Sequence, residues 1–261
     1  MTGATSAERR ERVTGATLAE RRERVIGNAL LFGFDRLVLR ELRGVWVRGE
    51  LPTTGAVWMT NHHSWWDVFA AVAVLRREHP GKPGVIMNSD NLATMPFLRA
   101  AGALGTHEVR TAVTRVAAGD VMIVFPEGDL RPAGPLGPVR PGADWIARRA
   151  GVPVAVVATR VVLRGRQAPE AYLDIEPGTA TAAAGHGRPS GRSDSELLAS
   201  RLAVLDLELG TADPDVALPG FRRVVAGARS WEERIAGWSD AWTSTRARIS
   251  HPASPSGLAS R

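Results

Sequence analysis

A histidine and an aspartate separated by four residues stand where the chain leaves an apolar run, in Thr60-Asn61-His62-His63-Ser64-Trp65-Trp66-Asp67. The pair suits general-base chemistry. A carboxylate on one imidazole nitrogen orients the ring and stabilises its protonated form, leaving the other nitrogen to take a proton from a hydroxyl. On one ideal helix, residues five apart lie roughly 140° around the axis. The two side chains therefore meet only if His62 sits in a loop and Asp67 in the first turn of a helix. Ser64 is a favourable N-cap, and Ser64 to Asp67 has the form of a capping box with Asp in place of Glu. Two other readings fit these residues. In one, Asp67 only caps a helix and His62 only satisfies a buried backbone group. In the other, His62, His63 and Asp67 bind a metal; adjacent histidines normally point apart, and no second cluster has ligand spacing.

A second polar signature, Phe125-Pro126-Glu127-Gly128, closes another apolar run. The elements that must position both are legible from periodicity. Short apolar or alternating runs predict strands at 45–49, 56–60, 85–87, 120–125, 152–159 and 171–175. Helical patterns fall at 65–77, 92–101, 108–118, 143–150 and 194–209, with Gly102 to Gly105 as a separator and a Gly- and Pro-rich loop from 128 to 141. The alternation predicts an α/β fold, a mixed and largely parallel sheet flanked by helices. Residues 178–193 read as a flexible loop. A tail helix over 228–247 carries Trp231, Trp238 and Trp242, and the last residues read as disordered.

Four segments are expected. Residues 1–25 form a charged arm in which residues 2–13 recur as 14–25, with only Ser6 and Leu18 differing. Residues 26–43 form an amphipathic helix through Leu30, Phe34, Leu37, Val38 and Leu42, able to pack on its own domain or to lie on a membrane surface. The catalytic domain spans 44–210, and 211–261 is a helical tail.

The chain has 261 residues, a net charge of +6 and no cysteine, so disulfides and zinc–thiolate sites are excluded. Lys82 is the only lysine. The arginine excess suits nucleic acid, acidic lipid headgroups or an anionic substrate, but no nucleic-acid motif or aromatic–basic interleaving supports the first. No apolar stretch approaches the ~20 residues that span a bilayer. The expectation is a cytoplasmic protein, peripheral at the inner face of the membrane.

Taken together and in order, these motifs resemble the glycerolipid acyltransferase family. Asn61-His62 through Asp67 is similar to its NH-(four residues)-D motif, Phe125 to Gly128 to its FPEG motif, and Val152-Pro153-Val154 to its later VP-apolar motif; Pro96 and Gly102 to Gly105 fall where it has its second block. The resemblance covers roughly residues 40–210 and implies a glycerol-phosphate-acyltransferase-like fold. It also implies acyl transfer from acyl-CoA or acyl carrier protein to a hydroxyl of a lysophospholipid or related lipid, with no cofactor and no metal. His62 would be the base and Asp67 its orienter. Asn61 would shape the loop, and Glu127 and Gly128 would line the acceptor site. Arg110, Arg131 and Arg140 would hold an acceptor phosphate.

The sequence departs from the family at two places. Where the second block usually ends in a phosphate-binding arginine, His107 and Glu108 stand, with Arg110 beyond them. The family's EGTRS becomes Glu127-Gly128-Asp129-Leu130-Arg131, displacing its arginine by one. These changes leave open an alternative, a lipid-binding scaffold on the same fold.

Overall fold

The computed structural model describes residues 6–178, 193–231 and 233–235. Eight strands form one sheet in the order β4-β3-β5-β2-β6-β7-β1-β8. They are β1 (Gly44–Arg48), β2 (Ala56–Thr60), β3 (Pro83–Met87), β4 (Ala103–Gly105), β5 (Val121–Val124), β6 (Val154–Val162), β7 (Glu170–Pro177) and β8 (Arg222–Ala226). Five of the seven neighbouring pairs are parallel; β6 with β7 and β1 with β8 are antiparallel. The fold is the mixed, largely parallel α/β sheet that the alternation predicts.

Both faces of the sheet are covered, which is why the strands read as near-continuous apolar runs. Trp58, Val121, Ile123, Ala155, Val157 and Leu173 point into one core, with helices α1 (Ser6–Glu41) and α2 (Trp66–Glu78) packed over it. Their neighbours Val57, Met59, Met122, Val124, Val154 and Val156 point into the other. There α4 (Val109–Ala117), α5 (Gly142–Ala150) and α6 (Asp194–Thr211) pack. Successive strand residues alternate between faces, so each strand feeds both cores.

Several elements differ from the sequence reading. The expected arm and amphipathic helix are one continuous helix, α1; no proline interrupts the run. Among its described side chains Val38 is fully covered, as is Leu42 just after its end. At Gly27 an added Cβ would stand 2.0 Å from the Ala100 carbonyl oxygen, so glycine lets α1 approach the 3-10 segment Pro96–Ala101. That segment and α3 (Ser89–Thr94) divide what periodicity reads as one helix over 92–101, because Pro96 cannot continue a helix interior. The separator at Gly102 to Gly105 contains the short edge strand β4. The sheet also extends past residue 210: β8 lies in the segment expected to be a helical tail. Its Arg222 and Arg223 mask the strand pattern; Arg222 pairs with Glu78, and the Arg223 guanidinium lies 5.2 Å from the Trp46 ring. Trp231 and residues 233–235 are helical. The flexible-loop reading for 179–192 and the readings for 236–261 lie outside the described residues.

Candidate active site

The parallel core puts the C-terminal ends of β2, β5 and β6 on one edge, where open α/β sheets place their ligands. β2 is flanked by β5 and β6. The segment after β2 carries Asn61 to Asp67, and the segment after β5 carries Glu127 and Gly128. The two motifs are thus brought together by strand adjacency.

His62 Nδ1 lies 3.0 Å from Asp67 Oδ2. The same oxygen accepts the backbone N–H groups of His63 and Ser64, each at 2.8 Å, and Ser64 Oγ accepts the Trp66 N–H at 3.2 Å. The helix has Trp65 at its N-cap with no side-chain cap, so the Ser64 capping box is not formed as the sequence suggests; Asp67 instead ties down the loop before α2 and orients the imidazole. It is 1% exposed. An aspartate is short enough to turn back on the loop from the first helical turn, which is the placement that the spacing of the pair requires. The His62 ring stacks on Phe125 at 4.1 Å between centroids, and its Nε2 has no hydrogen-bond partner among the described residues.

The backbone of His62 is held from both sides. Its N–H donates to Glu127 Oε2 at 3.0 Å, and its carbonyl accepts the Arg131 N–H at 2.8 Å. The other Glu127 oxygen accepts the Gly137 N–H at 2.9 Å. Glu127, 5% exposed, thus bridges the His62 loop and the 128–141 loop with one oxygen on each. Gly128 adopts φ +80, and a Cβ there would stand 3.1 Å from the Arg140 guanidinium carbon. Glycine serves both the left-handed backbone and the close approach of Arg140.

Asn61 is 2% exposed. Its amide exchanges two bonds with the Thr159 backbone: Nδ2 donates to the carbonyl at 3.1 Å, and Oδ1 accepts the N–H at 2.8 Å. That fits the shaping role and leaves no amide face for substrate. Arg131 and Arg140 are exposed beside Glu127 and Gly128 and have no ion-pair partner among the described residues. Arg110 is also exposed, in the first turn of α4 after β4. β3 and β5 separate β4 from β2, about 14 Å across three strand spacings, so the structure does not join Arg110 to the His62 cluster.

Three residues have roles that the sequence reading did not assign. Arg160, 3% exposed, is held by Asp206 of α6 and donates to the Gly134 carbonyl at 2.6 Å, pinning the 128–141 loop. Its only sequence signal is a charge inside an apolar strand. Glu108 accepts the Gly105 N–H at 2.7 Å and pairs with Arg99 at 2.8 Å; these partners hold its carboxyl below the usual carboxylate range. His63, with its side chain 6% exposed, accepts the Val161 N–H on Nε2 at 3.1 Å. Burial pushes its imidazole below the ordinary histidine value, against the opposing pull of Asp67. Asn61, His62, His63, Glu127, Arg131 and Arg160 border a small cavity of about 10 Å³.

Residues 44–160 match the family described as Acyltransferase. No curated protein matches the chain. Among solved structures, it is similar to the 1-acyl-sn-glycerophosphate acyltransferase PlsC from Thermotoga maritima. The identity is 19% over 74% of this chain and 80% of that one, with a TM-score of 0.47. The stretch that matches the Acyltransferase family covers under half of the chain and encloses the two motifs that the sheet sets side by side.

Proposed function

We propose that the protein transfers a fatty acyl group from acyl-CoA or acyl carrier protein to a hydroxyl of a lysophospholipid or related lipid, with His62 as general base. The observation that carries this reading is the His62 Nδ1–Asp67 Oδ2 contact of 3.0 Å with Nε2 left free. Asp67 holds the N–H on Nδ1, so Nε2 presents a lone pair to the acceptor hydroxyl. As the hydroxyl oxygen attacks the thioester carbonyl, its proton passes to Nε2, and Asp67 stabilises the imidazolium. The tetrahedral intermediate collapses by breaking the carbon–sulfur bond, and the departing sulfur takes the proton from His62. The products are the ester and a free thiol, and His62 returns to its starting form. No acyl-enzyme is needed.

Arg131 and Arg140, beside the His62 loop and without an ion-pair partner among the described residues, suit an anionic group of the acceptor or donor. The Gly105 N–H and Arg99, which would serve an anion at the end of β4, are already taken by Glu108. This favours Arg131 and Arg140 over Arg110. No described helix is long and apolar enough to cross a membrane. Trp65, 60% exposed, and Leu130, 57% exposed, flank the site in sequence. They support approach to a bilayer, where the lipid acceptor would be met.

The test is acceptor-dependent thiol release from palmitoyl-CoA over a panel of lyso-lipids, with mass spectrometry of the lipid product. His62→Ala is expected to lower the rate by about 10²- to 10⁴-fold with the circular dichroism spectrum unchanged. A folded His62→Ala protein that acylates normally removes the proposal, and so does a wild type that releases no thiol with any acceptor.

A further inference from the structure

β6 outruns its neighbour. It spans Val154–Val162, while β2 ends at Thr60, opposite Val157. On its other side β6 stays paired with β7 up to Val162. The β2-facing backbone groups beyond Val157 therefore have no strand to bond, and buried backbone groups demand partners. Side chains supply them. Asn61 takes both groups of Thr159, and His63 takes the N–H of Val161. The ladder between β2 and β6 continues past the end of β2 in side-chain form, at every second residue of each segment. His62 sits between the two rungs.

The bond to Val161 also fixes the tautomer of His63. Nε2 accepts an N–H, so it carries no proton, and in the neutral ring the proton is on Nδ1. That N–H faces Asp67 Oδ1 at 3.6 Å. Oδ1 is buried and accepts no hydrogen bond, while Oδ2 accepts three. The neighbouring Asn61 Nδ2, 3.4 Å from Nδ1, has one N–H on the Thr159 carbonyl and a second free, and as a donor it cannot accept the Nδ1 proton. The charged groups facing this ring are Asp67 from α2 and Arg160 from β6, with His62 beside it in the chain.

We infer that His63 is a positioning residue for acyl transfer: by accepting the Val161 N–H it locks the His62 loop to β6, and so holds His62 at Asp67 Oδ2. This rests on the general-base reading of His62. Two substitutions separate the function of His63 from its bulk. His63→Gln places an amide oxygen where Nε2 accepts the Val161 N–H; His63→Leu fills the space and accepts nothing, orphaning that N–H.

The experiment measures thiol release from palmitoyl-CoA with the best lyso-lipid acceptor, on the full chain. His63→Leu is expected to lower kcat by about 10- to 100-fold, the scale on which misplaced catalytic groups lose rate. KM for both substrates stays within about twofold, as for an interaction made only in the transition state. His63→Gln recovers kcat to within about threefold of wild type, the acceptor being restored. A His63→Leu enzyme with wild-type kcat overturns the inference, and so does a His63→Gln enzyme no faster than His63→Leu. A second measurement needs no activity. Long-range ¹H–¹⁵N correlation of the labelled histidine rings in the wild-type chain should show His63 neutral with the proton on Nδ1. A proton on Nε2 overturns the inference even if every variant behaves as expected. Failure of the general-base reading shows elsewhere, as a His62→Ala protein that keeps its rate while the His63 ring spectrum stands.

Discussion

The β2–α2 turn and the 128–141 loop face each other across one edge of the sheet and are built on opposite principles. In the turn, nearly every polar group is spent internally: Asp67 Oδ2 accepts three bonds, Asn61 two groups of Thr159, and the His62 backbone is held at both ends. Among the described residues, His62 Nε2 and the buried Asp67 Oδ1 are left over. In the loop, the backbone is pinned by Arg160 and Glu127, but the guanidinium groups of Arg131 and Arg140 stay exposed and have no ion-pair partner among the described residues. On the proposed reading, the contrast separates chemistry from recognition. A base must be held within tenths of an ångström, so its surroundings are saturated. A headgroup site must exchange its ligand, so its charges stay available.

Breaking the turn should have the larger effect. Asp67→Ala removes the orienter of His62 and orphans three donors, two of them backbone N–H groups. Activity is expected to fall by about 10²- to 10⁴-fold, and the chemical-denaturation midpoint should drop by an amount equivalent to about 1–3 kcal/mol. An Asp67→Ala enzyme with more than a tenth of the wild-type kcat would dissolve the contrast. On the loop, Arg131→Ala with Arg140→Ala should raise KM by about tenfold, roughly 1.4 kcal/mol of binding, and weaken its dependence on ionic strength. Arg110→Ala is expected to leave kcat/KM within about twofold, as for a surface charge away from the site. If Arg110→Ala raises KM more than the loop pair does, recognition sits at the end of β4 instead.

The smallest effect is on stability and sharpens the turn alone. Burial holds the His63 imidazole below its unfolded value of about 6.5. The unfolded chain therefore binds a proton that the folded chain refuses. This contribution to stability is fully present above about pH 6.5 and is lost as pH falls from there toward the folded value, at no more than about 1.4 kcal/mol per unit. Urea midpoints between pH 7 and 5 should fall more steeply for wild type than for His63→Gln, and equal slopes would show that His63 titrates as in the unfolded chain.

Much of this was readable without coordinates. The apolar strands follow from period-two burial on both faces, and the link between His62 and Asp67 follows from a loop-to-first-turn spacing; both are local. What escaped is long-range or masked. His63 and Asn61 find their partners 98 residues away, and no local pattern encodes that pairing. Glu127 reads as a site residue but spends its carboxylate bracing a backbone, because its neighbours in space come from other segments. β8 hides behind Arg222 and Arg223, and β4 behind its flanking glycines. Arg110 looks close to the motifs in sequence but is carried three strands away by the order of the sheet.

The overhang of β6 also governs when the site comes into being. His62 and Asp67 leave the ribosome within a few residues of each other, yet the strand that takes up Asn61 and His63 is completed only at Val162. Closing that roughly hundred-residue loop is an entropic cost met late. A chain that has not yet formed β6 lacks the backbone partners of Asn61 and His63, so the hold on the His62 turn is completed by a strand that contributes no side chain to it.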